Sequence, residues 1–376
     1  MFQRRKTRVV DIGGIPLGGE HPIRVQTMTN LPTADIDGQV QQILKAVKAG
    51  AEYVRITVPT LKDVGYFRQI RDQLKGVVPL IADVHFSPKI AVEAAKIAAK
   101  VRINPGNLVK DAGKPGFGND DSFLENLHDT MRPLLDTCRE YGTALRIGTN
   151  HGSLSERILT RYGDTPEGMV AATMETVEIC RSENFHNLVL ALKSSNVKVM
   201  VAATRLLVRR MDESGMDYPI HLGVTEAGEG EDGRIKSAIG IGSLLADGIG
   251  DTIRVSLTED LEYEIPVAYN ILQAARARIT KTEYISCPGC GRTTFNLQEA
   301  VKKVKEATKH LTGLKIAIMG CIVNGPGEMA DADWGYVGAG PGLIHIYKGK
   351  DRVMKNVPEE EAIMQLIRLM EEKNTI

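Results

Sequence analysis

The sequence predicts an α/β fold with a (β/α)8 TIM barrel in residues 1–280 and a small α/β domain in residues 281–376. Short β-branched runs alternate with helical patterns from about residue 23 to residue 280, and such alternation is typical of a parallel sheet. The unit occurs eight times, which fits a closed barrel. After Arg278 the rhythm changes, which indicates a second domain.

Eight segments have the composition of strands that end in polar residues. They are residues 23–30, 53–59, 79–86, 100–107, 144–152, 187–196, 219–228 and 251–260. Helical patterns such as "DGQVQQILKAVKAG" lie between them, with apolar residues at helical spacing and a glycine at the end. An open, doubly wound sheet of eight strands is the alternative that the same alternation allows.

Five cations lie inside or at the end of five different strand segments: Arg55, Arg102, Arg146, Lys193 and Arg254. Core strands of a parallel sheet are nearly all apolar, so these charges need a reason. One reason is a buried lattice of ion pairs, but only Asp83 and Glu226 stand at comparable positions. Because barrel strands converge on one mouth, the excess positive charge predicts an anionic ligand, and guanidinium groups suit a phosphate or diphosphate.

Polar side chains accompany these cations and are expected to form a hydrogen-bonding wall. They are Gln26, Asn30, His85, Asn104, Asn150, His151, Asn196 and Ser256. His85 and His151 could also transfer protons, although neither has a partner nearby in the sequence that would indicate it.

The composition limits the class of protein. Lys plus Arg and Asp plus Glu both number 47, so the balance does not suggest binding to nucleic acid or to a membrane surface. No apolar run reaches the length of a membrane span, and the basic start "MFQRRKTRVVDIGG" leads into no apolar region of a secretory signal. Five cysteines in 376 residues favour a reducing, cytoplasmic setting.

Three cysteines lie in two short loops of the second domain, Cys287 and Cys290 in "CPGC" and Cys321 in "MGCIVNGPGEM". A Cys-x-x-Cys pair serves zinc sites, redox couples and iron–sulfur clusters alike. A redox couple leaves Cys321 unexplained, and a structural zinc site needs a fourth ligand, for which His345 in "LIHIY" is a poor candidate. Cys138 and Cys180 lie on helical patterns and are expected to be small buried side chains.

Glu328 is a possible fourth ligand, seven residues after Cys321 and behind a Gly-Pro-Gly turn that could fold it back. A carboxylate is a weaker ligand than a thiolate for a soft iron–sulfur cluster. A catalytic site keeps such an exchangeable position, whereas a structural site is closed. The residues alone leave open whether Glu328 is a ligand or a solvated loop residue.

Several motifs together resemble the 4-hydroxy-3-methylbut-2-enyl diphosphate synthase family of the methylerythritol phosphate pathway. They are "RIGTNHGSL", "HLGVTEAGEGEDGRIKSAIGIG", "GDTIRVSLTED", "SCPGCGRTTFNLQE" and "IAIMGCIVNGPGEMADADWGYVG". The resemblance implies a [4Fe-4S] cluster held by Cys287, Cys290, Cys321 and Glu328. It also implies a barrel that binds the cyclic diphosphate substrate. The corresponding residues are Arg55, Asp83, Arg102, Arg146, Asn150, Lys193, Glu226, Arg254 and Ser256, and we add His85 as a neighbour.

The family reaction is the reductive ring opening and dehydration of 2-C-methyl-D-erythritol 2,4-cyclodiphosphate. Its expected electron donor is a flavodoxin or a ferredoxin. Glu226, expected to be a buried acid, is our candidate for the proton donor or for a hydrogen-bond partner of the leaving hydroxyl. The resemblance also implies a homodimer in which the cluster domain of one subunit closes over the barrel of the other. The large domain that some plant-like relatives insert is expected to be missing. One competing interpretation is a non-redox, phosphate-binding barrel synthase with a structural zinc module. Another is a ferredoxin-like electron-transfer or sensor protein whose barrel binds a regulator.

Overall fold

A computed structural model describes residues 3–108 and 120–371 of the chain. The chain divides into two compact units, Met1–Arg278 and Ile279–Ile376. No helix in the described part is long and apolar enough to cross a membrane.

The first unit contains a short antiparallel hairpin and a parallel sheet. The hairpin strands are β1 (Val10–Ile12) and β2 (Ile15–Leu17). The sheet strands are β3 (Arg24–Met28), β4 (Tyr53–Thr57), β5 (Leu80–Asp83), β6 (Lys100–Ile103), β7 (Ala144–Asn150), β8 (Leu188–Lys193), β9 (His221–Leu222) and β10 (Thr252–Ile253). Each sheet strand coincides with one of the eight predicted segments, although β9 and β10 are only two residues long.

The parallel sheet closes into a barrel. Its strands pair in the order β8-β7-β6-β5-β4-β3-β10-β9, and a parallel bridge between Leu190 and Ile220 joins the two ends. The predicted (β/α)8 barrel is therefore confirmed, and the open-sheet alternative is wrong. In a barrel of this kind, the carboxyl ends of all strands face one mouth.

Helices follow the strands and cover the outside of the barrel. They are α1 (Ile36–Ala49), α2 (Leu61–Leu74), α3 (Pro88–Ala95), α4 (Pro105–Leu108), α5 (Asp120–Tyr141), α6 (Glu156–Tyr162), α7 (Pro166–Ser182), α8 (Val197–Glu213), α9 (Gly230–Ala246) and α10 (Leu261–Ala274). The sequence specifies their ends locally. Thr60 caps α2 through a reciprocal pair with Asp63, and Gly50 ends α1 with a left-handed φ of 107°.

The hairpin closes the amino-terminal end of the barrel, which the sequence analysis did not predict. Val10, Ile12 and Leu17 are buried against residues near the starts of four strands: Tyr53, Ile81, Ala144 and Val189. The Tyr53 hydroxyl also donates a hydrogen bond of 2.9 Å to the carbonyl oxygen of Ile15. This apolar floor lies at the end of the barrel opposite the mouth.

The second unit is a five-stranded sheet with helices. Its elements are β11 (Glu283–Ser286), α11 (Leu297–Thr308), β12 (Lys315–Met319), α12 (Gly325–Glu328), β13 (Trp334–Gly340), β14 (Leu343–Lys348), β15 (Asp351–Pro358) and α13 (Glu359–Glu371). The first three strands are parallel and the last two antiparallel. One sheet face packs in a core with Val304 of α11 and Leu366 of α13. The sequence pattern predicts a closing helix from Pro358 to about Lys373; α13 begins at Glu359, and Lys373 lies outside the described residues.

We predict that Leu17→Ala lowers the free energy of unfolding of the barrel by about 2–5 kcal/mol, because it leaves a cavity in the floor. Far-UV circular dichroism during denaturant unfolding measures the loss. The single tryptophan, Trp334, lies in the second unit, so its fluorescence transition should stay unchanged. The control Val9→Ala alters a side chain that is 54% exposed and should cost less than about 0.5 kcal/mol. Equal losses in both variants would contradict the role of the floor.

Candidate active site

The barrel mouth brings together the five strand-end cations. Arg55, Arg102, Arg146 and Lys193 lie on β4, β6, β7 and β8 and are buried, whereas Arg254 directly follows β10 and its side chain is 15% exposed. The strand register sets Arg102 beside Asp83 on one side and beside Arg146 on the other. The five cations, which are far apart in the sequence, therefore form one cluster in space.

Asp83 at the end of β5 is the buried acid at the centre of this cluster. Its carboxylate lies 3.2 Å from Arg102 Nη1, 3.6 Å from Arg55 Nε and 3.5 Å from His85 Nε2. Burial by itself raises the pKa of this carboxyl. The charge of Arg55, the hydrogen bond from His85 and the charge of Arg102 outweigh burial and hold the pKa well below its usual value. Asp83 is therefore a fixed negative charge rather than a proton donor.

Arg102 is held in place by several polar neighbours. Besides Asp83, its guanidinium contacts His85 Nε2 at 2.7 Å and donates to the Gly148 carbonyl at 3.1 Å and to Asn150 Oδ1 at 3.3 Å. A guanidinium fixed in this way presents its charge in one orientation, which suits recognition of a phosphate group.

Two glycines make room for the cations, and the sequence analysis did not identify them. A Cβ atom on Gly148 would lie 2.8 Å from Arg102 Nε, and one on Gly223 would lie 2.7 Å from Lys193 Nζ. The side chains of Arg102 and Lys193 are buried, so neither can make room for an added methyl group without leaving the cluster. The close approach of backbone and cation explains why Gly148 on β7 and Gly223 just after β9 have no side chain.

Met28 is a third residue whose role the sequence did not predict. Its sulfur accepts contacts from Arg55 at 3.1 Å and 2.9 Å and from Arg254 Nη1 at 3.5 Å. A thioether is a weak acceptor for a guanidinium. Two cations that face such an acceptor retain most of their capacity to bind an anion.

Glu264 on α10 is the other buried acid beside the cluster. It lies 3.7 Å from Arg254 and also accepts hydrogen bonds from the Thr27 hydroxyl and the Leu257 amide. Arg146 has no acid of its own, and its Nε and Nη1 atoms have no hydrogen-bond partner among the described residues. Two carboxylates thus face five cations, and the ion-pair lattice considered from the sequence is incomplete.

The remaining predicted site residues lie further from the cluster centre. His85, Asn150 and Ser256 are half-buried near strand ends. Glu226 is exposed in the loop after β9, where its backbone has a left-handed φ of 54°. The expectation that this acid is buried is therefore wrong. Strained backbone conformations of this kind are, however, common at functional sites.

Some predicted wall residues serve the local structure instead. His151 lies 3.3 Å from Asp164, Asn196 caps α8, and Asn30 pairs with Gln42. Asn104 donates to Ser153. Gln26 points neither its oxygen nor its nitrogen at a hydrogen-bonding partner among the described residues.

In the second unit, the two loops that carry the cysteines begin at the carboxyl ends of neighbouring strands. Cys287 directly follows β11, and Cys321 follows β12 after a single glycine. The two strands are parallel neighbours, with Ser286 opposite Ile318, so their following loops lie side by side. Parallel strands commonly build sites at their carboxyl ends in this way.

The three cysteines and Glu328 line one cavity of about 170 Å³. Glu328 is the last residue of α12, so the predicted flexible turn is a single helical turn instead. The Gly320 amide donates to Cys287 Sγ at 3.2 Å. Hydrogen bonding by the Arg292 backbone, together with the charge of Arg292, lowers the pKa of Cys290 and favours its thiolate form.

The donor set around this cavity fits a [4Fe-4S] cluster. Among the described residues, no three His, Cys, Asp or Glu side chains converge closely enough to hold one metal ion. The thiolates that hold a cluster bind different irons, so they need only surround one cavity and need not converge on a single point. Three thiols, one of them with a lowered pKa, and one carboxylate are ligands that such a cluster accepts.

Cys138 and Cys180 are buried in the first unit, as the sequence predicts. Burial raises the pKa of the Cys138 thiol to about 12 and also raises that of Cys180. Both thiols therefore stay protonated and serve as small apolar side chains.

Comparison with known proteins covers both units. Residues 7–269 match the GcpE TIM-barrel domain, and residues 283–372 match the GcpE protein C-terminal domain. The chain is 56% identical to the 4-hydroxy-3-methylbut-2-en-1-yl diphosphate synthase (ferredoxin) of Thermosynechococcus vestitus, over 98% of this chain and 93% of that protein. The Synechocystis protein of the same name is 55% identical, over 98% of this chain and 94% of its own length.

We predict that Gly148→Ala weakens the binding of inorganic pyrophosphate about 10- to 100-fold. The added methyl group displaces Arg102, and a hydrogen bond to a charged group contributes about 1.5–3 kcal/mol. Isothermal titration calorimetry measures the affinity. The control Gly242→Ala lies on α9, where an added Cβ meets nothing within 4 Å, and should bind as the wild type does. Unchanged affinity in Gly148→Ala would remove Arg102 from the anion site.

Proposed function

The chain belongs to the GcpE family, and from this premise we propose that it catalyses the reductive ring opening of 2-C-methyl-D-erythritol 2,4-cyclodiphosphate. The product is (E)-4-hydroxy-3-methylbut-2-enyl diphosphate, an isoprenoid precursor. Two electrons and one proton enter, the C2–O bond to phosphate breaks, and the C3 hydroxyl leaves as water. The cation-rich mouth, on a chain 56% identical to a relative of that name, is the observation that carries the proposal.

Residues 1–280 bind the substrate in this proposal. Arg55, Arg102, Arg146, Lys193 and Arg254 surround the diphosphate, with His85, Asn150 and Ser256 as hydrogen-bonding neighbours. As the C2–O bond breaks, negative charge grows on the departing phosphate oxygen. Fixed cations stabilise that charge without reorganisation, which is the largest contribution that preorganised groups make to catalysis. Asp83 keeps Arg102 and Arg55 in place.

Residues 281–376 hold the cofactor in this proposal. Cys287, Cys290, Cys321 and Glu328 hold a [4Fe-4S] cluster at the cavity that they line. When bound, the cluster supplies electrons one at a time and a Lewis-acidic iron. Glu328 is the weakest ligand of the four and provides the exchangeable position.

Glu226 is our candidate for the group that donates the proton to the leaving hydroxyl. Its exposure in the loop after β9 gives it access to protons from solvent. The left-handed backbone at this residue fixes the direction in which the side chain leaves the loop.

The relatives' name supports a ferredoxin as the electron donor, and a flavodoxin is the alternative. We further propose a cytoplasmic homodimer whose active sites are shared between subunits, as the family resemblance implies. The competing zinc-containing barrel synthase is not favoured, because both family domains match and the relatives share one name.

We expect protein purified without oxygen to contain about four irons and four sulfides per chain, as the proposed cluster requires. It should convert the cyclic diphosphate to the linear product with reduced ferredoxin, measured by chromatography of the products. Omission of the reductant is the control and should abolish turnover. A colourless protein with one zinc per chain would overturn the proposal in favour of the zinc-containing synthase.

The shared active site can be tested by mixing two inactive variants. Arg146→Leu removes a cation of the barrel, and Glu328→Ala removes the carboxylate of the cluster cavity while the cysteines still hold iron. Each variant alone should lose most of its turnover. If sites are shared between subunits, mixed dimers contain one intact site, and about a quarter of the wild-type rate returns after subunit exchange. No recovery, although mass spectrometry shows mixed dimers, would assign each site to a single subunit.

A further inference from the structure

A second polar layer lies inside the barrel below the mouth. Lys100 begins β6, two residues before Arg102, and His221 begins β9. Both side chains are fully buried, and neither Lys100 Nζ nor either ring nitrogen of His221 has a hydrogen-bond partner among the described residues. The substrate interactions proposed above use neither residue, and buried polar atoms without partners are rare in proteins.

The surroundings of Lys100 are dominated by positive charge. The charged and titratable groups that neighbouring strands direct into the barrel are Tyr53 and Arg55 of β4, Asp83 of β5, Arg102 of β6, Arg146 of β7, Lys193 of β8, His221 of β9 and Arg254 after β10. β3 contributes the uncharged Gln26. Asp83 is the only carboxylate of this set, and it is already bound to Arg102.

The Tyr53 ring offers Lys100 one favourable contact, with Nζ 5.1 Å from the ring centre. Such a contact contributes much less than the cost of removing an unpaired ammonium ion from water. Burial therefore lowers the pKa of Lys100 well below its usual value, and the charges of Arg146 and Arg55 lower it further. Lysine tolerates this change because a neutral amine is accessible to it, whereas an arginine remains charged.

We infer that Lys100 is a neutral amine in the anion-free barrel and takes up one proton from solvent when an anion binds at the mouth above it. This inference rests on the proposed function only for the identity of the natural anion. The bound negative charge offsets the field of the arginines. Two unit charges about 10 Å away, at an effective dielectric constant of about 20, change the protonation constant more than a hundredfold.

Two features distinguish Lys100, as a proton acceptor, from the other buried bases. The unperturbed pKa of lysine lies about four units above that of histidine, so His221 needs a much larger change of field to become charged. Burial and the charge of Arg146 lower the pKa of Lys193 as well. Lys193, however, ends β8 at the mouth, where the anion is proposed to bind, and its Nζ is not among the buried atoms without a partner. Lys100 is instead a positioning group, which adds its charge beneath the anion without touching it.

Proton uptake can be counted by calorimetry of the holoenzyme in buffers that differ in ionisation enthalpy. The two anions are the cyclic diphosphate and inorganic sulfate, neither of which takes up protons itself near neutral pH. We expect about one proton per bound anion at pH 7.5. The dissociation constant should also rise by up to tenfold per pH unit between the pKa values of Lys100 in the free and bound states. Sulfate keeps this test independent of the proposed function.

Lys100→Met should lose the proton uptake and flatten the pH dependence of binding. Lys100→Gln serves as a second variant of similar length in case the first does not fold. The control Lys96→Met alters a lysine at the end of α3, whose side chain is 36% exposed and paired with Glu93, and should keep both effects. No uptake in the wild type, uptake that persists in both Lys100 variants, or no binding of either anion would overturn the inference. Uptake with sulfate but not with the cyclic diphosphate would contradict the proposed substrate alone.

Discussion

Uncompensated positive charge inside the barrel is the constraint on which the rest of this structure depends. Five cations surround the mouth, and two buried carboxylates, Asp83 and Glu264, face them. Each unpaired buried charge costs several kcal/mol of folding free energy. The apolar floor at the opposite end of the barrel offsets part of this cost. An anion bound at the mouth, as proposed, would recover this electrostatic free energy. Part of its affinity would therefore come from cations that folding has already placed close together.

The positions of the cations depend on residues that carry no charge. Gly148 and Gly223 leave space for Arg102 and Lys193, and Met28 supplies a weak acceptor to Arg55 and Arg254. A carboxylate in place of Met28 would neutralise these guanidinium groups and compete with a bound anion. A branched apolar residue would give them no acceptor at all. The thioether contacts both guanidinium groups and can adjust its position, because it is flexible and polarisable.

The sequence predicted the barrel and its mouth because both depend on local patterns. Strand–helix alternation sets the fold, and the carboxyl ends of strands point to one place whatever the register. The functions of Gly148, Met28 and Glu264 depend on which residues face each other across strands, and that is a property of register. Lys100 illustrates the same limit, since its position at the start of a strand becomes informative only when burial and neighbours are known. The exposure of Glu226 was predicted wrongly because a loop, rather than a strand, carries it.

In the proposed cluster site, the two cysteine loops and α12 would combine fixed and exchangeable ligands. Cys287 and Cys321 continue two paired strands, so the sheet itself sets their separation. Glu328 stands instead on the single turn of α12, and its backbone amide bonds to the Asn324 carbonyl within the same segment. A rotation of the exposed Glu328 side chain therefore disturbs neither strand and leaves all three thiols in place. If these four residues hold the proposed cluster, sulfur ligands anchored by strands and an oxygen ligand on a helical turn would allow one ligand to change while the others keep their geometry.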